Sequence, residues 1–344
     1  MAGSHNSETQ APPLKIFGVL HSFQKTEALR AAIELDVFTA IGDQGSSSDE
    51  IATHCEASRR GIRVLCDFLC LTGLLRKQQG RYWRSQEAAL YLDRRSHQFL
   101  ADAAVQTYAG SALMDGYRRL AEAVRIGGTA LPHAGTMAPD HPYWRQFAQA
   151  LAPVGEANAK SLANVLEVPL SAPMRVLDVA CGHGHYGIAI AERCPLAEVF
   201  AQDWPAVLEV AVANARDAGI LARYHAIPGD VFSTDLGGCY DLTLITNFLP
   251  DLGPTECVQL LAKIRSSLKE EGRAVVLQSI PEDDDRLTPP NAPSLALSLL
   301  VQTPQGDIYT RGELSEIFEG AGFARTELRN LGPMPQRVLV AYCR

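Results

Sequence analysis

The sequence predicts an α/β protein: a mostly parallel sheet with helices on both faces, preceded by a helical module that ends in a small hairpin. Three observations predict it. After a linker at 169–173, apolar strands alternate with helical segments almost to the end of the chain, the pattern of a parallel sheet covered on both sides. The first of those strands runs into a glycine-rich turn that opens a helix. Ahead of it, residues 14 to about 100 read as helices followed by a β-hairpin, a winged-helix pattern. A chain of 344 residues exceeds what one core usually serves. The expected partition is a disordered tail (1–13), a winged-helix-like domain (14–100), a helical linker and pocket region (101–170) and a sheet domain (171–344).

Composition narrows the function. With 47% apolar and 20% charged residues the chain has the profile of a soluble enzyme. No apolar run is long enough to span a bilayer, and the first 13 residues lack a basic-then-apolar signal, so no membrane partner is expected. The eight cysteines form no CxxC pair, which suits reduced thiols in a cytoplasmic protein. A net charge of −8 would require a strong local basic patch for nucleic acid. Arg59-Arg60 and Arg94-Arg95 are only short clusters and read as solvated helix faces, so no nucleic-acid partner is expected.

The elements follow in order. Phe17, Leu20, Phe23, Ala28, Ala31 and Ala32 suit amphipathic helices. Ser47 and Glu50 have capping-box spacing. Ser58 opens a helix with Ile62, Leu65, Cys66 and Leu69 on one face, and Gly73 is placed to end it. Leu74-Leu75-Arg76 and Arg81-Tyr82-Trp83 then flank Gln78-Gln79-Gly80 as a hairpin. A winged helix invites a DNA-binding reading, but the acidic balance favours dimerisation. In 101–170, Gly127-Gly128 and the Gly- and Pro-rich stretch 131–142 break the helical pattern, which resumes over 143–168.

The chemistry concentrates at the glycine-rich turn. Residues 175–180 form an apolar strand holding one carboxylate, Asp178, and Cys181-Gly182-His183-Gly184-His185-Tyr186-Gly187 has Gly-x-Gly-x-x-Gly spacing. Glycines let backbone approach a ligand, and the helix that follows offers free N–H groups. A second strand ends at Asp203, placed to take both ribose hydroxyls of an adenosine. Pro228-Gly229-Asp230-Val231-Phe232 puts an acid beside an apolar floor, as an adenine needs. A fourth strand, 240–247, leads into Phe248-Leu249-Pro250-Asp251. A dinucleotide would also use such a turn. Asp178 within the strand and the Gly229-Asp230 step point instead to S-adenosylmethionine. Cys181, His183 and His185 alternate along the turn without an outside ligand to complete a set, so no metal is expected. The acids Glu282-Asp283-Asp284-Asp285 read as a solvated run, although the first could face the pocket.

These motifs resemble the small-molecule O-methyltransferases of the plant caffeate, hydroxyindole and bacterial antibiotic-biosynthesis type. The carriers are Val176-Leu177-Asp178-Val179-Ala180-Cys181-Gly182-His183-Gly184, Asp203-Trp204-Pro205-Ala206-Val207-Leu208-Glu209, Gly229-Asp230-Val231-Phe232 and Lys269-Glu270-Glu271-Gly272-Arg273. Thr288-Pro289-Pro290 and the stretch 303–310 resemble a bacterial subset. The resemblance implies a Rossmann-like class I methyltransferase domain with a seven-stranded, mostly parallel sheet whose last strand is antiparallel, after an α-helical winged-helix dimerisation domain. It implies an intertwined homodimer in which the N-terminal segment contributes to the partner's pocket, and a small-molecule acceptor from secondary metabolism. Residue by residue, it puts Gly182 against the methionine part and Asp203 on the ribose, and counts Asp178, Gly184 and Trp204 among the cofactor-binding residues. Gly229, Asp230, Val231 and Phe232 bracket the adenine, and Asn247 and Phe248 lie by the cofactor.

One departure bears on mechanism. Many members follow strand four with Asn-x-Leu-His, and the His deprotonates the acceptor hydroxyl. Here Pro250 holds that position. Asp251 is the adjacent candidate base, with a helix N-cap ahead of Gly253-Pro254-Thr255-Glu256 as its other reading. His133 and His141, in the loop before the 143–168 helix, are the remaining candidates. An acceptor already ionised, a nitrogen or carbon acceptor, or a non-methylating reaction such as cyclisation or hydroxylation would need no base at that position. A cofactor-sensing winged-helix regulator is the reading outside enzymes.

Overall fold

The structure, a computed structural model, describes residues 13–281, 286–332 and 336–344. The acidic run at 282–285 and all of the predicted tail except Pro13 lie outside the described residues. The chain divides into two compact units, Met1–Asp102 and Ala103–Arg344. The helical region expected as a separate linker therefore belongs, save its first two residues, to the sheet-bearing unit.

The N-terminal unit carries helices α1 (Leu14–His21), α2 (Phe23–Glu34) and α3 (Val37–Ile41), strand β1 (Ser46–Ser47), α4 (Ser48–His54), α5 (Arg59–Leu71), strands β2 (Leu75–Gln78) and β3 (Arg81–Arg84), and α6 (Gln86–Tyr91). Its caps are the predicted ones. The Ser47 and Glu50 side chains each accept the other's backbone N–H, at 3.3 and 2.6 Å. Ser58 Oγ accepts from Gly61 N–H at 3.0 Å. Ile62, Cys66 and Leu69 are the buried face of α5. At the hairpin tip Gln79 and Gly80 both have positive φ, the geometry that matches the twist of a tight antiparallel turn. The amphipathic reading of the first helices finds no buried face at its start: Phe17 and Leu20 of α1 and Phe23 at the head of α2 are more than half exposed, and α1 has no buried residue among the described residues.

The C-terminal unit begins with α7 (Ala101–Tyr108), α8 (Ser111–Arg118), α9 (Leu120–Ile126) and α10 (Pro142–Val165). Then follow β4 (Met174–Val179), α11 (His185–Arg193), β5 (Ala197–Asp203), α12 (Pro205–Asp217), β6 (Tyr224–Pro228), β7 (Tyr240–Thr246), α13 (Pro254–Ser267) and β8 (Leu268–Gln278). Helices α14 (Ala292–Gln302) and α15 (Arg311–Gly320) precede strands β9 (Arg325–Asn330) and β10 (Arg337–Tyr342). The sheet has seven strands in the order β6-β5-β4-β7-β8-β10-β9. The first five are parallel; β10 runs antiparallel to both of its neighbours. Side chains alternate between two cores, as a doubly covered sheet requires. Val176, Leu244, Val275 and Leu277 pack with Leu162, Ile190 and Ala211 on one face. Leu177, Val179, Ile245 and Val276 pack with Leu260, Ile264 and Phe318 on the other. The chain moves outward from β4 through β5 to β6, then crosses back to β7 on the other side of β4. That reversal opens a crevice at the carboxyl ends of the central strands, where open α/β sheets bind ligands.

Candidate active site

The turn after β4 is shaped by positive φ at Ala180 (49°), Gly182 (56°) and Gly184 (77°). Its glycines have different tasks. A Cβ on Gly182 would meet nothing within 4 Å, so Gly182 faces open space. A Cβ on Gly184 would press on the Tyr224 hydroxyl at 2.5 Å and on Ala211 at 3.0 Å. One on Gly187 would strike Val199 and Asp178. The missing side chain of Gly184 thus makes room for protein behind the turn.

Two carboxylates frame the turn. Asp178 is fully buried, and its Oδ2 accepts from Gly187 N–H at 3.0 Å, in the first turn of α11. The helix terminus that would hold a phosphate is thereby occupied by the protein's own carboxyl group. Asp178 Oδ1 has no partner, and burial pushes this carboxyl well above the usual range. Asp203 accepts from Gly182 N–H at 2.9 Å through Oδ2 and from Trp204 N–H at 2.7 Å through Oδ1. Burial raises it to about 6 against those two bonds, and Asp140 adds repulsion. Two buried carboxyls without a cation between them suit a cationic ligand and oppose a pyrophosphate. The open space over Gly182 and the orphaned Asp178 oxygen fit S-adenosylmethionine, which carries a sulfonium and an ammonium.

The remaining predicted cofactor residues line the neighbouring strand ends. Gly229, at φ 128°, donates its N–H to Asp203 O at 3.0 Å. Asp230 Oδ1 accepts from Phe232 N–H at 2.9 Å, Val231 is buried, and Phe232 is 37% exposed. Trp204 is half-buried at the start of α12. Asn247 has φ 56° and accepts from Gln336 Nε2 at 2.7 Å, and the half-buried Phe248 packs on the core behind it. Two supports escaped the sequence reading. Gln202 joins the turns, donating to Gly229 O at 2.6 Å and accepting from Ala180 N–H at 3.3 Å. Its signal was an amide inside a buried strand next to the acid. Lys263, on α13, donates to the carbonyls of Val231, Phe232 and Thr234 at 2.6–3.0 Å. Nothing in the spacing of a solvent-side helical lysine announces that role.

The acceptor side lies past β7. Residues 249–251 form a single 3-10 turn, Leu249–Asp251, with Pro250 buried. The capping reading of Asp251 is overturned. Gly253 is the N-cap of α13 and its N–H donates to Glu256 at 2.9 Å, so the cap is built without Asp251. The Asp251 carboxyl is half-buried and accepts no hydrogen bond among the described residues. Burial raises it to about 8, and it lies within electrostatic reach of Tyr143. The backbone around it is clamped. Tyr309 donates its hydroxyl to Leu252 O, and Gly306 lies so close to Pro250 O that a Cβ would sit 2.5 Å away. Thr129 ties the 127–141 loop to Val301 and Thr303, at 2.7 and 2.8 Å. Trp144 Nε1 donates to Thr136 O at 2.8 Å, and Tyr143, Trp144 and Phe147 stack edge to face or tilted.

The two histidine candidates are less suited. His141 caps α10, its Nδ1 accepting from Tyr143 N–H at 3.1 Å. His133 is exposed and makes no hydrogen bond among the described residues. In the turn, His183 is buried and held neutral down to about 3 by burial and by His185. Its ring packs against Gly155 of α10. Among the described residues no cluster could hold a metal ion, and no helix is long and apolar enough to cross a membrane.

Comparison with known proteins fits this geometry. Residues 117–324 match the O-methyltransferase domain model, and residues 17–94 match the O-methyltransferase dimerisation domain. A solved structure from Nostoc punctiforme, assigned to the O-methyltransferases, is 40% identical, with a TM-score of 0.92 over 97% of this chain and 100% of that one. A 3-hydroxy-5-methyl-1-naphthoate 3-O-methyltransferase of Streptomyces sahachiroi is 26% identical over 93% of this chain and 92% of its own length. Human N-acetylserotonin methyltransferase, solved with S-adenosylmethionine, shares the fold with a TM-score of 0.79 at 22% identity, over 98% of this chain and 99% of that one.

Proposed function

The chain belongs to the O-methyltransferase family, and from that premise we propose that it methylates a hydroxyl of a small aromatic or heteroaromatic secondary metabolite, with Asp251 as the base. S-adenosylmethionine supplies the reactive methyl group on a positively charged sulfur. The observation that carries the reading is the Asp251 carboxyl: half-buried, without a hydrogen-bond partner among the described residues, one residue beyond the position that Pro250 occupies.

Each step on the protein side follows from a named group. Gly182 lets the cofactor lie against the turn, and Asp203 accepts from the ribose hydroxyls with the lone pairs its two backbone bonds leave free. Asp178 fixes the start of α11 behind the turn through Gly187 N–H. Val231 and Phe232 give the adenine an apolar floor, with Asp230 beside it. Alignment and exclusion of water do most of the work in an in-line displacement. A neutral phenol, with a pKa of about 10, still needs its proton removed. An ordinary aspartate, near 3.9, would be a weak base for that. Burial brings Asp251 to about 8, within range of the phenol. Tyr143, Trp144 and Phe147 are the flat apolar wall on that side. The exposed apolar residues of α1 support a homodimer, since such a face has no cover within its own chain.

The deciding experiment incubates the protein with S-adenosylmethionine carrying an isotopically labelled methyl group and a panel of aromatic hydroxyl compounds. Mass spectrometry should find the label on the acceptor oxygen. Cofactor binding by calorimetry without label transfer to any hydroxyl would turn the reading towards a non-methylating enzyme of this fold.

A further inference from the structure

The carboxyl ends of the central strands hold more polarity than a cofactor on β4, β5 and β6 uses. Gln278 ends β8 and is 1% exposed, yet among the described residues neither its amide nitrogen nor its amide oxygen has a partner. Ser279, the next residue, is 3% exposed and its hydroxyl is also unpartnered. In the register Thr246 faces Leu277, which brings Asn247 beside Gln278 at the strand end, and Arg337 stands opposite on β10. Gln336 donates to Asn247 while its own Oε1 stays buried without a partner.

These amides sit where apolar residues would be cheaper to bury. The strand before Gln278 reads Ala274, Val275, Val276, Leu277, all fully buried. An apolar residue of Gln278's shape would continue that pattern, whereas an unpaired amide is disfavoured. Buried polar groups left open in this way are completed by a ligand or by ordered water. Strand β7 separates β8 from the cofactor turn, so Gln278 ends its strand on the side of β7 away from that turn.

We propose that Gln278 reads the acceptor, its amide giving one hydrogen bond and taking another from a neutral planar edge that carries a hydroxyl or N–H beside a carbonyl. This rests on the acceptor being a small aromatic hydroxyl compound, as proposed above, and adds what must stand next to the reading edge: a hydroxy-carbonyl or hydroxy-amide aromatic. A primary amide holds its donor and acceptor side by side in one plane, so such an edge satisfies both at once. A plain alkylphenol leaves half of the amide unpaired. A carboxylate edge has no donor of its own, and a ring hydroxyl beside it could reach the amide only at the cost of burying a charge.

The test needs binding, not turnover. The protein loaded with S-adenosylhomocysteine is titrated calorimetrically with 2-hydroxybenzamide, with 2-ethylphenol as a similar-sized control, and with 2-hydroxybenzoate. The wild type should bind the amide about tenfold or more tightly over the control. Gln278→Met should bring that ratio close to one without lowering the melting temperature. Equal binding, no binding of the amide, preference for 2-hydroxybenzoate, or an unchanged ratio in Gln278→Met would each overturn the proposal. So would a lowered melting temperature in that variant, which would mark Gln278 as a structural residue completed by water. A preserved ratio without label transfer to any hydroxyl would overturn the methyl-transfer reading alone.

Discussion

The cofactor turn and the acceptor side share one sheet edge but are built by opposite rules. At the turn, most polar groups are tied down: both Asp203 oxygens hold backbone N–H groups, one of the two Asp178 oxygens holds the start of α11, and Gln202 bridges two loops. Past β7 the backbone is clamped while the functional side chains are left open. Asp251 has no hydrogen bond among the described residues, and Gln278 is buried with both amide atoms free. A preformed cradle fits a ligand that never changes. Open side chains leave recognition to the molecule that arrives, and they shift the pKa of a carboxyl that nothing else stabilises.

The sharpest way to break this contrast is Asp251→Asn. If the open carboxyl is the base, kcat/KM should fall by about 10²–10⁴, while cofactor affinity stays unchanged. The pH profile gives the sign independently. Asp251 is protonated and idle below about 8, so the wild-type rate should climb with pH and level off above that value. In Asp251→Asn the climb should disappear. A loss below about tenfold would return the role to His141 or to an acceptor that needs no base.

The same contrast explains what could be read from the sequence. The turn was legible because its demands fall on residue types: Gly182 must tolerate φ 56°, β4 and β5 must be apolar except where an acid ends or interrupts them. The strand-and-helix alternation fixed the sheet for the same reason. The acceptor side was legible only as a departure, Pro250 in place of a histidine. Whether Asp251 caps α13 or stands free depends on Glu256 taking the Gly253 N–H, a choice between two side chains three residues apart. Gln278 looked like the polar end of a strand, because pairing across β7 and β10 decides its burial. The α1 face was readable as apolar but not as outward-facing, since nothing local says which surface covers it.

A smaller effect probes the tied-down half. Asp203→Ala should weaken S-adenosylmethionine binding on the order of a hundredfold, because two hydrogen bonds to a charged acceptor are lost together. Calorimetry measures it directly. With Asp203 raised to about 6, the carboxylate is the minority form below that pH. Wild-type affinity should therefore decline as pH falls through about 6, and Asp203→Asn should show no such decline. Unchanged affinity in Asp203→Ala would remove the ribose assignment.

The finest discrimination comes from two glycines two residues apart. Both Gly182 and Gly184 have positive φ, so alanine at either carries backbone strain of about 1–3 kcal/mol. Only Gly184 adds a clash, with its Cβ 2.5 Å from the Tyr224 hydroxyl and 3.0 Å from Ala211, both inside the core. Gly184→Ala should thus lower the melting temperature further than Gly182→Ala. Gly182→Ala puts its methyl into open space, which costs nothing until a ligand must lie there. Its cofactor affinity should drop while its stability stays nearer the wild type. Thermal unfolding and calorimetry on the two variants should therefore rank them in opposite orders. The same order in both would mean that Gly182 supports the turn rather than the ligand, and the division between a tied-down cradle and its open floor would have to be redrawn.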